Sequence, residues 1–205
     1  MKLKKIALAM VALILMLNLT SCGLVANILM NNTEYVSVEE TVDITYDELP
    51  DYISSQGTVP TILPQKKISM NVRLNGKFTT LDALDGLMGG ETVLLSLNCM
   101  VMIANRNERA QSMGISDAIE YAEYNRSSVD SHSSVLLDEN ANGAYYEYST
   151  NLLGKELTGL AYFYEDNGNI WTLDMVCDPD DYEDMRSYFF DWAQSVEFYC
   201  EYLPQ

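Results

Sequence analysis

The stretch "LAYFYEDNGNIWTLDMVC", Leu160–Cys177, reads as a β-hairpin. Its turn, "EDNGN", contains Asn167-Gly168, a pair that accepts the positive φ angles of a tight connection. Strands are therefore predicted over Leu157–Tyr164 and Ile170–Cys177. The clearest helix signal follows at once. Asp178 is placed to cap it, Pro179 takes the first helical position, and acids fill the first turn, where the helix dipole favours them. Tyr182, Met185, Phe189, Trp192, Val196 and Tyr199 are alternately three and four residues apart. That spacing predicts one long apolar stripe, which must lie on the sheet.

Upstream of the hairpin, Val135–Leu137 and Ala144–Thr150 read as further strands, and Ser116 as the cap of a helix over about 117–127. In "TVLLSLNCMVMIAN", Leu95, Leu97, Cys99, Val101 and Ile103 share one face of what reads as a single central strand. A short helix is predicted over Leu81–Met88, ended by Gly89-Gly90. Ile68, Met70, Val72 and Leu74 alternate and run into Asn75-Gly76, a second hairpin signal. Val42, Ile44 and Tyr46 alternate as a half-buried strand would, and the Pro-rich "DELPDYISSQGTVPTILP" reads as turn and loop. The order predicts an α+β fold: a mainly antiparallel sheet covered by helices, up to a three-layer α/β/α sandwich.

In element order the chain resembles the PsbP-like family. The residues that carry the likeness are "ISDAIEYAEYN", "YYEYS", the hairpin strands and "YEDMRSYFFDWAQSVEF", from about Glu91 to Phe198. The resemblance implies the sandwich, and a role in binding proteins or ions rather than in catalysis.

The 205 residues are 48% hydrophobic with a formal net charge of -18, which suits one globular domain with a real core. Three of the 12 basic residues, Lys2, Lys4 and Lys5, lie at the start, and residues 1–21 hold no acid, so the remainder is more acidic still. Such a chain repels nucleic acid and anionic membrane surfaces alike.

Those lysines precede "IALAMVALILML", Ile6–Leu17, which is shorter than the roughly 20 residues a membrane-spanning helix needs. It has the length of a secretory signal's apolar core. Leu19-Thr20-Ser21-Cys22 then resembles the bacterial lipobox, which implies that a diacylglyceryl group is joined to the Cys22 sulfur and that cleavage falls just before it. Two acyl chains give the double anchor that stable attachment requires. Ordinary secretory cleavage after Ala26 would leave Leu24 at the −3 position, a poor small-residue site. Residues 1–21 are thus read as a signal peptide, 22–40 as a lipid-anchored segment with a short apolar helix, and 41–203 as a single α+β domain on the extracytoplasmic face of the membrane.

The chemistry-bearing residues are sparse. His132, the only histidine, lies in "DSHSS", where it reads either as a base for a nearby serine or as a solvated loop residue. Asp138, Asn140 and Asn142 match the first half of a calcium loop, but the twelfth position is Ser149 rather than glutamate, and the same residues also make a turn. "DPDDYED" reads as helix capping. Gly86, Gly89 and Gly90 do not make a phosphate loop, and no motif asks for a cofactor. Cys99, Cys177 and Cys200 remain after lipidation, so one disulfide at most can form among them. Of the 14 tyrosines, Tyr146 with Tyr148 and Tyr162 with Tyr164 form lines that serve either a partner surface or a core beneath a helix. The reading is an envelope lipoprotein that binds, as an accessory module, to another envelope protein. Two alternatives remain: an envelope hydrolase with an unassigned Asp/Glu pair, and a small-ligand sensor with a pocket between sheet and terminal helix.

Overall fold

The structure is a computed structural model that describes residues 33–43, 65–81, 92–152 and 154–203. The lipobox-like stretch with Cys22, the apolar helix expected before residue 33, the Pro-rich segment and the helix expected over Leu81–Met88, Leu81 apart, lie outside the described residues.

Two antiparallel sheets form the body. In the smaller, β1 (Thr33–Asp43) pairs along all 11 residues with β2 (Gln65–Asn75). The other edge of β2 pairs with the last strand, Glu197–Tyr202. The larger sheet begins with β3 (Thr79–Thr80), β4 (Thr92–Leu95) and β5 (Cys99–Asn105). Two helices follow, α1 (Asn107–Ser112) and α2 (Ala118–Arg126). The chain then returns through β6 (Asp130–Ser131), β7 (Leu136–Asp138), β8 (Gly143–Leu152), β9 (Lys155–Asp166) and β10 (Asn169–Cys177). Across this sheet the order is β3-β4-β5-β10-β9-β8-β6, with β7 also on β8. A 3-10 turn, Pro179–Asp181, leads into α3 (Tyr182–Gln194), and the chain closes with β11, the strand Glu197–Tyr202.

Strand alternation divides the core in two. Leu160, Tyr162, Tyr164, Trp171, Leu173 and Met175 point to one face, where they meet Met185, Phe189 and Trp192 of α3 together with Ile68, Met70, Val72 and Leu74 of the small sheet. Ala161, Phe163, Tyr146, Tyr148 and Val176 point to the other, against Ala110, Ala118, Tyr121 and Ala122 of α1 and α2. The α+β class and the antiparallel sheet agree with the sequence. On the α3 side of the core, among the described residues, a second sheet stands beside the helix.

The β9–β10 hairpin forms as read, with Asn167 at φ 49 and Gly168 at φ 72. Four local readings are corrected. "TVLLSLNCMVMIAN" is not one strand: the Ser96 amide donates to the Cys99 carbonyl at 2.9 Å, closing a β4–β5 hairpin over Leu97 and Asn98. Asn75-Gly76 makes no hairpin, since β2 pairs with β1 and β11 while the next strand joins the other sheet. Asp117, not Ser116, caps α2 through its Oδ1 and the Glu120 amide at 2.7 Å. The terminal helix stops at Gln194. Ser195 turns the chain, its hydroxyl accepting from the Arg73 amide at 2.9 Å, and "EFYCEY" continues as strand. Packed structure also begins by Thr33, inside the segment read as a lipid-anchored leader up to residue 40.

Candidate functional site

On the α2 side of the large sheet lies a groove of about 840 Å³. The first turn of α2 forms one wall, the β7–β8 hairpin the other, and Phe163 of β9 lies between them. Each wall follows from local sequence. Asp117, extended at φ -131 and ψ 156, starts the helix, and Glu120 sits in its first turn, where free amides favour acids. The hairpin turns over Glu139–Asn142 between the paired Asp138 and Gly143. Asn142 adopts φ 50, and the amides of Asn140 and Ala141 donate to Asp138 Oδ1 at 3.0 and 3.4 Å. Gly143 lets the hairpin lie close to β9: a Cβ there would stand 3.0 Å from the Tyr164 ring.

The groove is apolar in its walls and acidic at its lip. Ile119 is 48% exposed and Leu137 66%, large apolar side chains left facing solvent. Asp117, Glu120, Glu139 and Glu165 are exposed around them, and among the described residues lining the groove there is no Lys, Arg or His. This concave apolar surface inside a ring of carboxylates suits a cationic ligand with an apolar body.

Of the calcium-loop residues, Asp138 and Asn142 line the groove, and the Asp138 oxygens are taken by the protein. Oδ2 accepts from the Tyr162 hydroxyl at 2.8 Å and from Gln194 Nε2 at 3.5 Å, while Oδ1 holds the turn amides. Partial burial pushes its carboxyl up, but the Tyr162 hydroxyl, the two amides and Gln194 together outweigh burial and hold it below the ordinary value. The segment Asp138–Asn142 is thus a hairpin turn that ties β7 to the last turn of α3. Among the described residues no three His, Cys, Asp or Glu side chains are grouped to hold a metal ion.

His132 is exposed and reaches Ser149 of β8, not a serine of its own loop: Nε2 lies 2.7 Å from Ser149 Oγ, which lies 3.3 Å from Thr158 Oγ1. The loop is fastened by the His132 amide on the Glu147 carbonyl at 2.8 Å. Among the described residues no carboxylate orients the other ring nitrogen, the third member that an activated serine requires. Asp178 holds the Asp180 amide and the Lys155 ammonium at 3.0 Å, as a cap does. Tyr146, Tyr148, Tyr162 and Tyr164 are all buried, so both tyrosine lines belong to the core. At the sheet–α3 interface the Tyr164 hydroxyl donates to the Ala193 carbonyl at 3.0 Å. Gly86, Gly89 and Gly90 lie outside the described residues.

Sequence reading missed the groove. A signal was available at Ile119, an apolar residue off the stripe that buries Ala118, Tyr121 and Ala122. Leu137 and Glu165 carried none, because only the folded sheet sets them beside α2. Sequence also missed the charge cluster on the opposite face, where Arg186 Nη2 meets Glu147 Oε1 at 2.6 Å and the guanidinium lies 4.8 Å from the Phe190 ring centre.

No protein-family model matches the chain, and no curated protein matches it in sequence. Among solved structures it is similar to the solution structure of cyanobacterial PsbP (CyanoP) from Synechocystis sp. PCC 6803. Identity is 15%, the match covers 88% of this chain and 99% of that one, and the TM-score is 0.33.

Proposed function

We propose that the protein is a lipid-anchored extracytoplasmic module that holds another envelope protein by a cationic, apolar-tipped segment of that partner. The observation that carries this reading is the groove: Ile119 and Leu137 exposed between walls whose lip is wholly acidic. Apolar area supplies the affinity of such a contact and the carboxylates its selection of sign. Anchoring rests on the sequence of residues 1–22, with Cys22 as the acylated residue. No helix among the described residues is long and apolar enough to cross a membrane. The PsbP-like assignment rests on the order of elements between Glu91 and Phe198.

The acid-lined groove also bears on the hydrolase alternative. A general acid kept protonated near neutral pH needs a desolvated, apolar setting. Asp117, Glu120, Glu139 and Glu165 are all exposed, and Asp117 is engaged in capping. They make a better electrostatic rim than an acid–base pair.

The test is capture from cross-linked membranes with the full-length protein, its Leu137→Lys variant and its Cys22→Ala variant. One envelope protein should be enriched by the wild type, released as salt is raised, and lost with Leu137→Lys while the fold is retained. Cys22→Ala should abolish acyl labelling and leave a larger precursor. Equal capture by wild type and Leu137→Lys would remove the groove from the mechanism, and unchanged acyl labelling of Cys22→Ala would remove the anchor.

A further inference from the structure

We propose that Cys99 and Cys177 close a disulfide across β5 and β10, leaving Cys200 as the free thiol. The two cysteines face each other in register, at the first residue of β5 and the last of β10, and both side chains enter the α3-side core. Backbone hydrogen bonding shows which kind of antiparallel pair they form. The Arg106 amide donates to the Ile170 carbonyl at 2.7 Å, so bonded pairs recur from there at every second residue, through Met100 and Val176. Cys99 and Cys177 fall between them. The β4–β5 turn agrees, since the Cys99 carbonyl is turned toward Ser96, away from β10. Facing residues of a non-bonded pair stand about 4.5 Å apart at Cα, with side chains closer than in a bonded pair. A disulfide spans Cα separations of about 4.4–6.8 Å, so such a pair falls at the short end of its range. In this structure both thiols are reduced, Cys177 Sγ donating to the Thr158 carbonyl at 3.8 Å, and a rotation of the side chains is what the bond requires.

Cys200 is excluded as partner by its place. It lies on β11 in the other sheet, opposite Ile68, and is exposed. Cys99 and Cys177 are buried in the core instead. Burial, with a contribution from the neighbouring Cys177, pushes the Cys99 thiol far up; burial and the nearby Asp181 and Asp178 push Cys177 up to about 12. Thiolate is scarce in the folded state, so oxidation belongs to the folding chain. The oxidant is a disulfide compound. One cysteine thiolate attacks it and expels a thiol, and the second then attacks the mixed disulfide and expels another. The protein loses two hydrogens and the oxidant gains two. The bond would join the two central strands immediately before Asp178, which caps the 3-10 turn leading into α3.

The test refolds the reduced full-length chain in oxidised and reduced glutathione, alkylates it under denaturing conditions and maps the peptides by mass spectrometry. The expected result is a Cys99–Cys177 linked peptide, alkylated Cys200, the same link in Cys200→Ser, and a denaturation midpoint that falls on adding reductant. Alkylation of both Cys99 and Cys177, or a link from either to another cysteine, overturns the proposal. Labelling of the folded reduced chain adds a second arm: Cys200 must react at least a hundred times faster than the pair, and equal rates refute their placement.

Discussion

Removing the Trp192 side chain should cost more stability than almost any other truncation in α3. The indole is fully buried, with Phe78 edge-on at 5.7 Å, Phe189 at 5.5 Å and Tyr188 at 6.4 Å between ring centres. Its Nε1 donates to Asn75 Oδ1 at 3.3 Å, at the end of β2, so one side chain joins helix, small sheet and the segment entering β3. A large aromatic removes roughly 150–250 Å² from water, which at about 25 cal/mol per Å² is about 4–6 kcal/mol as an upper bound. Measured Trp-to-Ala truncations in cores cost about 3–5 kcal/mol, and we expect Trp192→Ala to fall there. Trp192→Phe keeps a ring against Phe189 but loses the bond to Asn75, which predicts a smaller loss of about 1–2 kcal/mol. Equilibrium urea unfolding followed by far-ultraviolet circular dichroism reads both, and avoids a fluorescence signal that the substitution itself changes. A loss below about 1 kcal/mol for Trp192→Ala would place the indole at the surface and undo the packing of α3 against both sheets.

Gly159→Ala should be severely destabilising despite adding one methyl group. The new Cβ would overlap the Met175 carbonyl oxygen, a backbone atom of the central strand β10 that has no room to yield. A thermal midpoint within about 2 °C of wild type would refute that approach. Asp138 gives a pH prediction. Its carboxyl is held below its ordinary value in the fold, so its stabilising contribution is present above the unfolded pKa of about 3.9 and is lost as pH falls through the folded value. Asp138→Asn should therefore be less stable than wild type at pH 6, with the gap closing below about pH 4; a gap that widens with acid contradicts the hydrogen bonds from Tyr162 and Gln194. Leu137→Lys, at an exposed site, should change stability by no more than about 0.5 kcal/mol in the same urea assay, which separates its effect on binding from any effect on folding.

Wherever neighbours along the chain decide the outcome, sequence alone determined this structure. Asn167-Gly168 makes its turn because the positive φ it needs is a property of those two residues. The α3 stripe from Tyr182 to Trp192 is buried as its spacing requires, and Asp178 caps the 3-10 turn before α3 with its own side chain. The acidity of the chain, and the lipobox-like Leu19–Cys22 on which the proposed anchor rests, are likewise properties of residues in order. Tertiary structure decided the rest, because strand partners are chosen by surfaces far apart in sequence. Asn75-Gly76 has the residues of a hairpin, yet β2 found its partners in β1 and in β11, the approach of the latter starting where Ser195 meets Arg73, 122 residues away. Val196 and Tyr199 keep the helical spacing, but an open edge of β2 offered more pairing than one further turn of helix. The groove came from the same source: Ile119, Leu137 and Glu165 lie on three separate elements, and only the sheet that brings β7, β8 and β9 beside α2 puts acid and apolar surface on one wall.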